Sequence, residues 1–398
     1  MTMSRLFAAT AVAVGLTFAA AAQDRGPIKV AVIQDKTGPL EAYAKQAIVG
    51  IQMGIEFATQ GSNQVLGRKI ELIEKDSQAK PDVGKSLLAQ AFGDDNAHIA
   101  IGPTGSGVAV AMLPVAEEYK KILLVEPAVA EAITGANWNR YIFRTARNSW
   151  HDGFANAIAV GKKGGSAAIL AQDYVFGKEG ALALKEGFKK TDTTVVHEEF
   201  APFATTDFTA HVQRVVDALK DKPGEKLVFV IWAGPVNALS KTKDLIPAAS
   251  GIKVVTGGNI LPAMAAYKDF PGMEGATYYY YELPKNPIND WLVAEHKKRF
   301  GGAPPDFFTA GGMAAGLAVV EGLKKAGSTD TEKLIAAMEG MEFQTPKGRM
   351  VFRKDDHQAM QSMYHFKVKV DPAVAWAIPE LVREIPISEL DIPIRNKR

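Results

Sequence analysis

From residue 28 onward, short apolar runs alternate with stretches whose apolar residues recur every 3.6 positions, and the whole rhythm runs twice. Few architectures accept such a pattern. Strands that are apolar throughout need cover on both faces, and in a parallel sheet the intervening helices supply it. The first pass predicts strands at 28–33, 69–74, 99–101 and 122–125. Between them lie a helix marked by Ala47, Ile48, Ile51, Ile55 and Ala58, another marked by Val83, Leu87, Leu88 and Ala91, and a third starting near Ser106. After Phe143, Arg144 and Thr145 the rhythm restarts, with strands at 166–170, 193–200, 227–232 and 252–255 and helices around 178–190, 207–220 and 236–248. In the middle one, Phe208, Val212, Val215 and Leu219 share one face. The last section differs: a β-prone aromatic run at 277–281, helices near 286–300, 307–326 and 331–339, then β-rich pieces at 350–352 and 363–370. The expected fold is α/β with two lobes, each a parallel sheet flanked by helices. Ligands of such sheets bind beyond the carboxyl ends of the strands, so the cleft between the lobes is where function should lie.

Composition excludes several classes. With 46 Lys and Arg against 44 Asp and Glu over 398 residues, no charge surplus marks the chain for nucleic acid or an acidic membrane face. Cysteine is absent, which removes disulfides, thiolate metal sites and cysteine nucleophiles. The N-terminus reads as a secretory signal over residues 1–22: Arg5 gives a positive start, 6–22 is uncharged and Ala-rich, and Ala20 and Ala22 form an A-x-A cleavage site before Gln23. No cysteine follows, so the mature chain is expected outside the cytoplasm without a lipid anchor, in the periplasm where there are two membranes. A second uncharged stretch, 99–116, is broken by Gly102, Pro103, Gly105, Gly107 and Pro114 and is read as strand, turn and helix.

Catalysis leaves traces that are missing. The seven histidines show no H-x-H or H-E-x-x-H spacing, so no metal and no cofactor is expected. The segment Gly102-Pro103-Thr104-Gly105-Ser106-Gly107 matches neither a dinucleotide fingerprint nor a P-loop, and Ser106 does not sit in G-x-S-x-G. What this segment offers is a strand end, a glycine turn and a helix start whose free amides suit a carboxylate, with Ser106 adding its hydroxyl. In the plainer reading Ser106 caps its own helix.

Thr37-Gly38-Pro39-Leu40 followed by Tyr43, Asp76-Ser77-Gln78 with Pro81, Ile101-Gly102-Pro103 to Ser106, Glu126-Pro127-Ala128, Phe143-Arg144-Thr145, Asp173-Tyr174 with Gly177, and Pro304-Pro305-Asp306-Phe307-Phe308 are each short. Their order over more than 300 residues resembles the periplasmic solute-binding proteins of branched-chain amino-acid ABC importers, the leucine/isoleucine/valine-binding type with the type I two-lobed fold. The resemblance implies a hinged binding protein that delivers one small molecule to an ABC permease in the inner membrane and performs no chemistry. It implies one lobe from 27–143 and 282–345, a second from 144–281 and 346–385, crossings near Arg144, Tyr280 and Thr345, and a tail at 386–398. It also implies that Thr104, Gly105 and Ser106 hold the ligand's carboxylate, with Tyr43 and the segment Ala128, Val129 and Ala130 lining the same lobe.

Amino-acid binders of that family usually carry Ser or Thr where Ala130 stands and an acidic residue near Asn259 for the ligand's ammonium. Both are changed here. An ammonium buried without a charged acceptor costs a few kcal/mol. The expected ligand is therefore an organic acid lacking an α-amino group, apolar or aromatic to suit Trp150, Phe176 and Phe308 beside Tyr43. Those rings have a competing reading as core. Arg147 could meet a second acidic group or lie between the lobes, and the Tyr278–Tyr281 run is expected to include an interlobe strand. The rivals are hydrophobic amino-acid uptake, a sensory accessory that passes its loaded form to a receptor, and a periplasmic hydrolase using Ser106.

Overall fold

The computed structural model describes residues 26–396, so the segment read as an export signal lies outside the described residues. The chain runs β1 (Ile28–Gln34), α1 (Glu41–Ala58), β2 (Gln64–Val65), β3 (Arg68–Asp76), α2 (Pro81–Gly93), β4 (Ile99–Ile101), α3 (Ser106–Tyr119), β5 (Ile122–Val125) and β6 (Ile142–Arg144). These strands form one sheet in the order β2-β3-β1-β4-β5-β6, parallel except for the β2–β3 hairpin. Then follow α4 (Ser149–Val160), β7 (Gly165–Gln172), α5 (Val175–Lys190), β8 (Thr193–Ala201), α6 (Thr209–Leu219), β9 (Lys226–Ile231), α7 (Ala238–Leu245) and β10 (Ile252–Val255). Their strands make a second parallel sheet, β10-β9-β7-β8. The remainder comprises α8 (Leu261–Met264), β11 (Glu274–Thr277), α9 (Pro287–Arg299), α10 (Phe307–Ala326), α11 (Thr331–Met338), β12 (Glu342–Thr345), β13 (Gly348–Phe352), β14 (Ala359–Met360), β15 (Met363–Lys369), β16 (Ile378–Ile385) and α12 (Ile387–Leu390).

Apolar runs became central strands because both of their faces are covered: every residue of β5 and of β7 is buried. Two cores result. One gathers Ile33, Ile99, Leu124 and Phe143 with Ala315 and Leu323 of α10. The other gathers Ile169, Leu170, Phe188 and Val228 with Phe366 of β15. Helices α1 and α10 meet almost backbone to backbone. A Cβ at Gly50 would stand 2.1 Å from the Thr309 carbonyl oxygen, and one at Gly312 would stand 2.1 Å from that of Ala47. Only glycine fits this approach, and it fixes the start of α10, with Phe307 and Phe308, at the edge of the first lobe.

The structure departs from the sequence reading in three places. Strand β11 ends at Thr277, so residues 278–281 form no strand: β15, its partner, begins only at Met363, and the tyrosines turn to separate partners. Tyr278 donates its hydroxyl to the Phe307 carbonyl, and Tyr279 donates to Asn289 Oδ1 at 2.8 Å. Met350, Phe352 and Ala359 pack in the first core, while Met363 and Phe366 pack in the second, so the passage between cores falls after Ala359 rather than at Thr345. Helix α4 was not anticipated. It is buried on nearly every side, which erases the apolar periodicity that would have announced it.

Gly312→Ala drives a methyl group into the α1 backbone and should destabilise the chain by ~1–3 kcal/mol. A urea midpoint equal to that of the wild type would show that the two helices have room to separate.

Candidate functional site

A cavity of about 130 Å³ lies between the two sheets, and its wall is assembled from the segments that follow the carboxyl ends of the strands. Thr104 follows β4, Val129 follows β5 and Arg147 follows β6. From the second lobe come Phe176 after β7, Trp232 after β9 and Asn259 after β10. Tyr43 of α1 and Phe308 of α10 close the first-lobe side. A larger hollow of about 500 Å³, lined by Val160, Leu227, Val254 and Phe270, lies at the opposite, amino-terminal ends of β9 and β10.

The turn after β4 is locally forced. Gly102 holds φ +135°, and a Cβ there would stand 1.9 Å from the Ile33 carbonyl oxygen, so no other residue lets β4 end against β1. Gly105 occupies the N-cap position and Ser106 is the first helical residue, so Ser106 is not the cap of α3. Several polar groups of this turn are already partnered. Thr104 Oγ1 donates to Gln34 Oε1 at 2.7 Å, and Ser106 Oγ accepts the Ala130 amide at 3.2 Å. The Gly105 amide donates to Asp35 Oδ2 at 2.7 Å, and Ser77 donates its hydroxyl to the other oxygen of that buried carboxyl. Burial raises the Asp35 pKa.

The two lobes touch across the cleft. Tyr43 Oη accepts the Gly234 amide at 3.1 Å, and the Asn259 side chain lies beside the same hydroxyl. Asp306, the N-cap of α10, accepts the Leu261 amide on both oxygens at 3.0 Å and the Gln46 side chain at 2.8 Å. Desolvation pushes its carboxyl up to about 6. Glu179 of α5 accepts the Ala132 amide at 3.2 Å. Apolar area comes from rings: Tyr43 and Phe308 lie 4.8 Å apart between centroids, Tyr174 and Phe176 5.7 Å.

The charged residues of the wall are Arg147 and Asp152, paired through Arg147 Nε and Asp152 Oδ1 at 2.9 Å. The guanidinium carbon stands 4.8 Å from the Tyr278 ring centre and 4.9 Å from that of Phe307. Lys347 packs on the same Tyr278 ring at 4.2 Å. Glu126, fully buried nearby, accepts the Thr145 hydroxyl at 3.0 Å, and desolvation pushes it up to about 7.

Of the residues singled out from the sequence, Tyr43, Thr104, Ser106, Val129, Phe176, Asn259 and Phe308 line the cavity. Gly105, Ala128, Ala130 and Trp150 do not. Gly105 is turned onto Asp35, and Ala128 and Ala130 are packed into the first core. Trp150 is buried in α4 against Phe154 at 5.3 Å, with Arg395 over its ring. Sequence reasoning missed Asp152, Asn156, Tyr174, Trp232 and Phe307 as wall residues. Two of them lie on α4, whose one local signal was Asn148, which caps the helix reciprocally with His151. Among the described residues, no group of three or more His, Asp or Glu side chains could hold a metal ion, and no helix is long and apolar enough to cross a membrane.

Residues 27–373 match the family model described as periplasmic binding protein. A Leu/Ile/Val-binding protein homolog from Brucella suis is 25% identical over 370 residues, covering 90% of this chain and 91% of its own. A crystal structure of an ABC-type branched-chain amino acid transporter from Rhodopseudomonas palustris CGA009 is 64% identical with a TM-score of 0.84, covering 93% of this chain and 100% of that one. A solute-binding protein of an ABC transporter from Rhodopseudomonas palustris BisB5, in complex with 3,4-dihydroxybenzoic acid, is 28% identical with a TM-score of 0.78, covering 91% and 98%.

Glu126→Gln should separate from the wild type only as the pH rises. A carboxyl whose pKa is 4.5 unfolded and about 7 folded holds its proton more tightly in the folded chain. Its contribution to stability is therefore full below pH 4.5 and lost as the pH rises to 7, a loss on the order of 3 kcal/mol that the amide escapes. Parallel stability curves for the two proteins from pH 4.5 to 8 would contradict this.

Proposed function

The chain belongs to the periplasmic binding protein family, the solute-binding components of ABC transporters, and on that premise we propose that its cleft captures a small apolar or aromatic carboxylic acid by hinge closure and delivers it to a membrane permease. Proteins of this family bind and release their ligand and are not enzymes. Export by residues 1–22 to the periplasm, without a lipid anchor, belongs to the same proposal.

The observation that carries the ligand class is the cavity wall. Tyr43, Tyr174, Phe176, Trp232, Phe307 and Phe308 surround a small space, a setting for one flat or branched apolar body. Where an acidic residue would meet an ammonium, Asn259 instead lies beside the Tyr43 hydroxyl. Asp152 is the one carboxylate among the described wall residues, and it is engaged by Arg147. An α-ammonium could meet only a carboxylate whose charge Arg147 already balances, with that cation standing beside it, which weakens the pairing. The relative crystallised with 3,4-dihydroxybenzoic acid supports the aromatic reading.

A thermal-shift panel tests the ligand class. Benzoate, 3,4-dihydroxybenzoate, 4-methyl-2-oxopentanoate, leucine and valine are each added to the mature protein. A ligand at 100 times its Kd adds ~2.7 kcal/mol to the folded state. Stabilisation by one or more of the three acids that lack an α-amino group is expected, with leucine and valine inert. Stabilisation by leucine and valine alone would replace this reading with amino-acid uptake.

A further inference from the structure

Because Asp35 and Gln34 take two of the donors at the start of α3 and Arg147 keeps both terminal nitrogens open, we infer that Arg147, rather than Ser106, is the main receiver of the carboxylate of the ligand. This rests on the ligand class proposed above and adds the residue that selects it.

At the start of α3, the Gly105 amide is taken by Asp35 and the Thr104 hydroxyl by Gln34, whereas Ser106 Oγ accepts the Ala130 amide and keeps its own proton to donate. Asp35 is wholly buried beneath this turn. Whether ionised or protonated it occupies the donor, and when ionised it repels a second carboxylate brought to the same helix end. Arg147 has the opposite surroundings. It is the one cation among the described wall residues, and Asp152 engages only its Nε, at 2.9 Å. No described residue accepts a hydrogen bond from its two terminal nitrogens, which are the pair of donors that a carboxylate matches with two parallel bonds.

The arginine is also held in place. Tyr278 and Phe307 lie 4.8 Å and 4.9 Å from the guanidinium carbon and Phe308 lies 6.0 Å away, so the group is stacked among rings and its side chain is only 11% exposed. A donor fixed in advance gives up little freedom when the ligand arrives. Asp152 orients this arginine and balances its charge. It is a positioning residue, whereas Arg147 touches the ligand.

Isothermal titration with benzoate, 3,4-dihydroxybenzoate, 4-methyl-2-oxopentanoate, leucine and the uncharged benzamide tests the assignment. The proteins are the wild type, Arg147→Gln, Arg147→Lys, Ser106→Ala and the double variant Arg147→Gln/Asp152→Asn. The double variant removes both charges together and leaves no carboxylate unpaired, so it reports on the site even if the single arginine variant folds poorly. For whichever carboxylate binds the wild type, loss of Arg147 should weaken binding roughly 30-fold or more. Arg147→Lys should restore only part of it, because an ammonium cannot make the paired contact. Ser106→Ala removes one hydroxyl donor and should weaken binding less than loss of Arg147 does, and the benzamide affinity of the arginine variants should move less than about threefold. A carboxylate that still binds within threefold to both arginine variants overturns this inference and leaves the ligand class standing. A wild type that binds none of the carboxylates overturns both.

Discussion

The arrangement depends on hydrogen bonds that run from one lobe to the other. Asp306 does the most. Its carboxylate caps α10 in the first lobe, takes a side chain from α1, and takes the backbone amide at the start of α8 in the second. Tyr43 does the same from α1, supplying both a ring to the cavity wall and a hydroxyl to the Gly234 amide. In the hinge proposed above, each bond would break as the lobes part, so each would favour the closed form. A ligand adds only the difference between its contacts in the closed and open forms. Glycines at the α1–α10 contact keep these groups in register, because they hold the start of α10 where Asp306 and the two phenylalanines can reach across.

Electrostatics then decide what the closed space can hold. The wall carries one cation and one anion, already paired, and a group of aromatic rings. Glu126, fully buried, and Lys347, half-buried on the Tyr278 ring, sit behind it, and desolvation pushes each toward its neutral form. Such a lining suits a guest with one polar end and a hydrophobic body.

Much of the fold was legible because its strands are buried on both sides and therefore spell continuous apolar runs; β4, β5 and β10 have the limits that the sequence implies. Placement of the cleft followed from the parallel order. What stayed hidden was set by tertiary contacts. Helix α4 buries His151 and Asn156 along with its apolar residues, so no polar face marks it, yet it carries Asp152 into the wall. The tyrosine run looks β-prone, but a strand needs a partner, and β15 supplies only the pairing that ends at Thr277. Asp35 is a strand-end residue like many others. Nothing in its neighbours reveals that it will lie under α3 and consume the Gly105 amide. Likewise Lys347, in the turn between β12 and β13, packs half-buried on Tyr278, a contact that no local sequence signal marks.

The central claim is that two lobes close over one small molecule and release it unchanged. Since the chain has no cysteine, Lys80→Cys and Asp207→Cys, both at exposed positions, place a single pair of spin labels on opposite lobes. Pulsed dipolar spectroscopy should give one short distance in the presence of a bound acid, and a distribution that extends to longer distances in its absence or when Asp306→Ala removes the bond to Leu261. Distance distributions that stay the same with ligand, without it, and in that variant would contradict closure as the basis of capture.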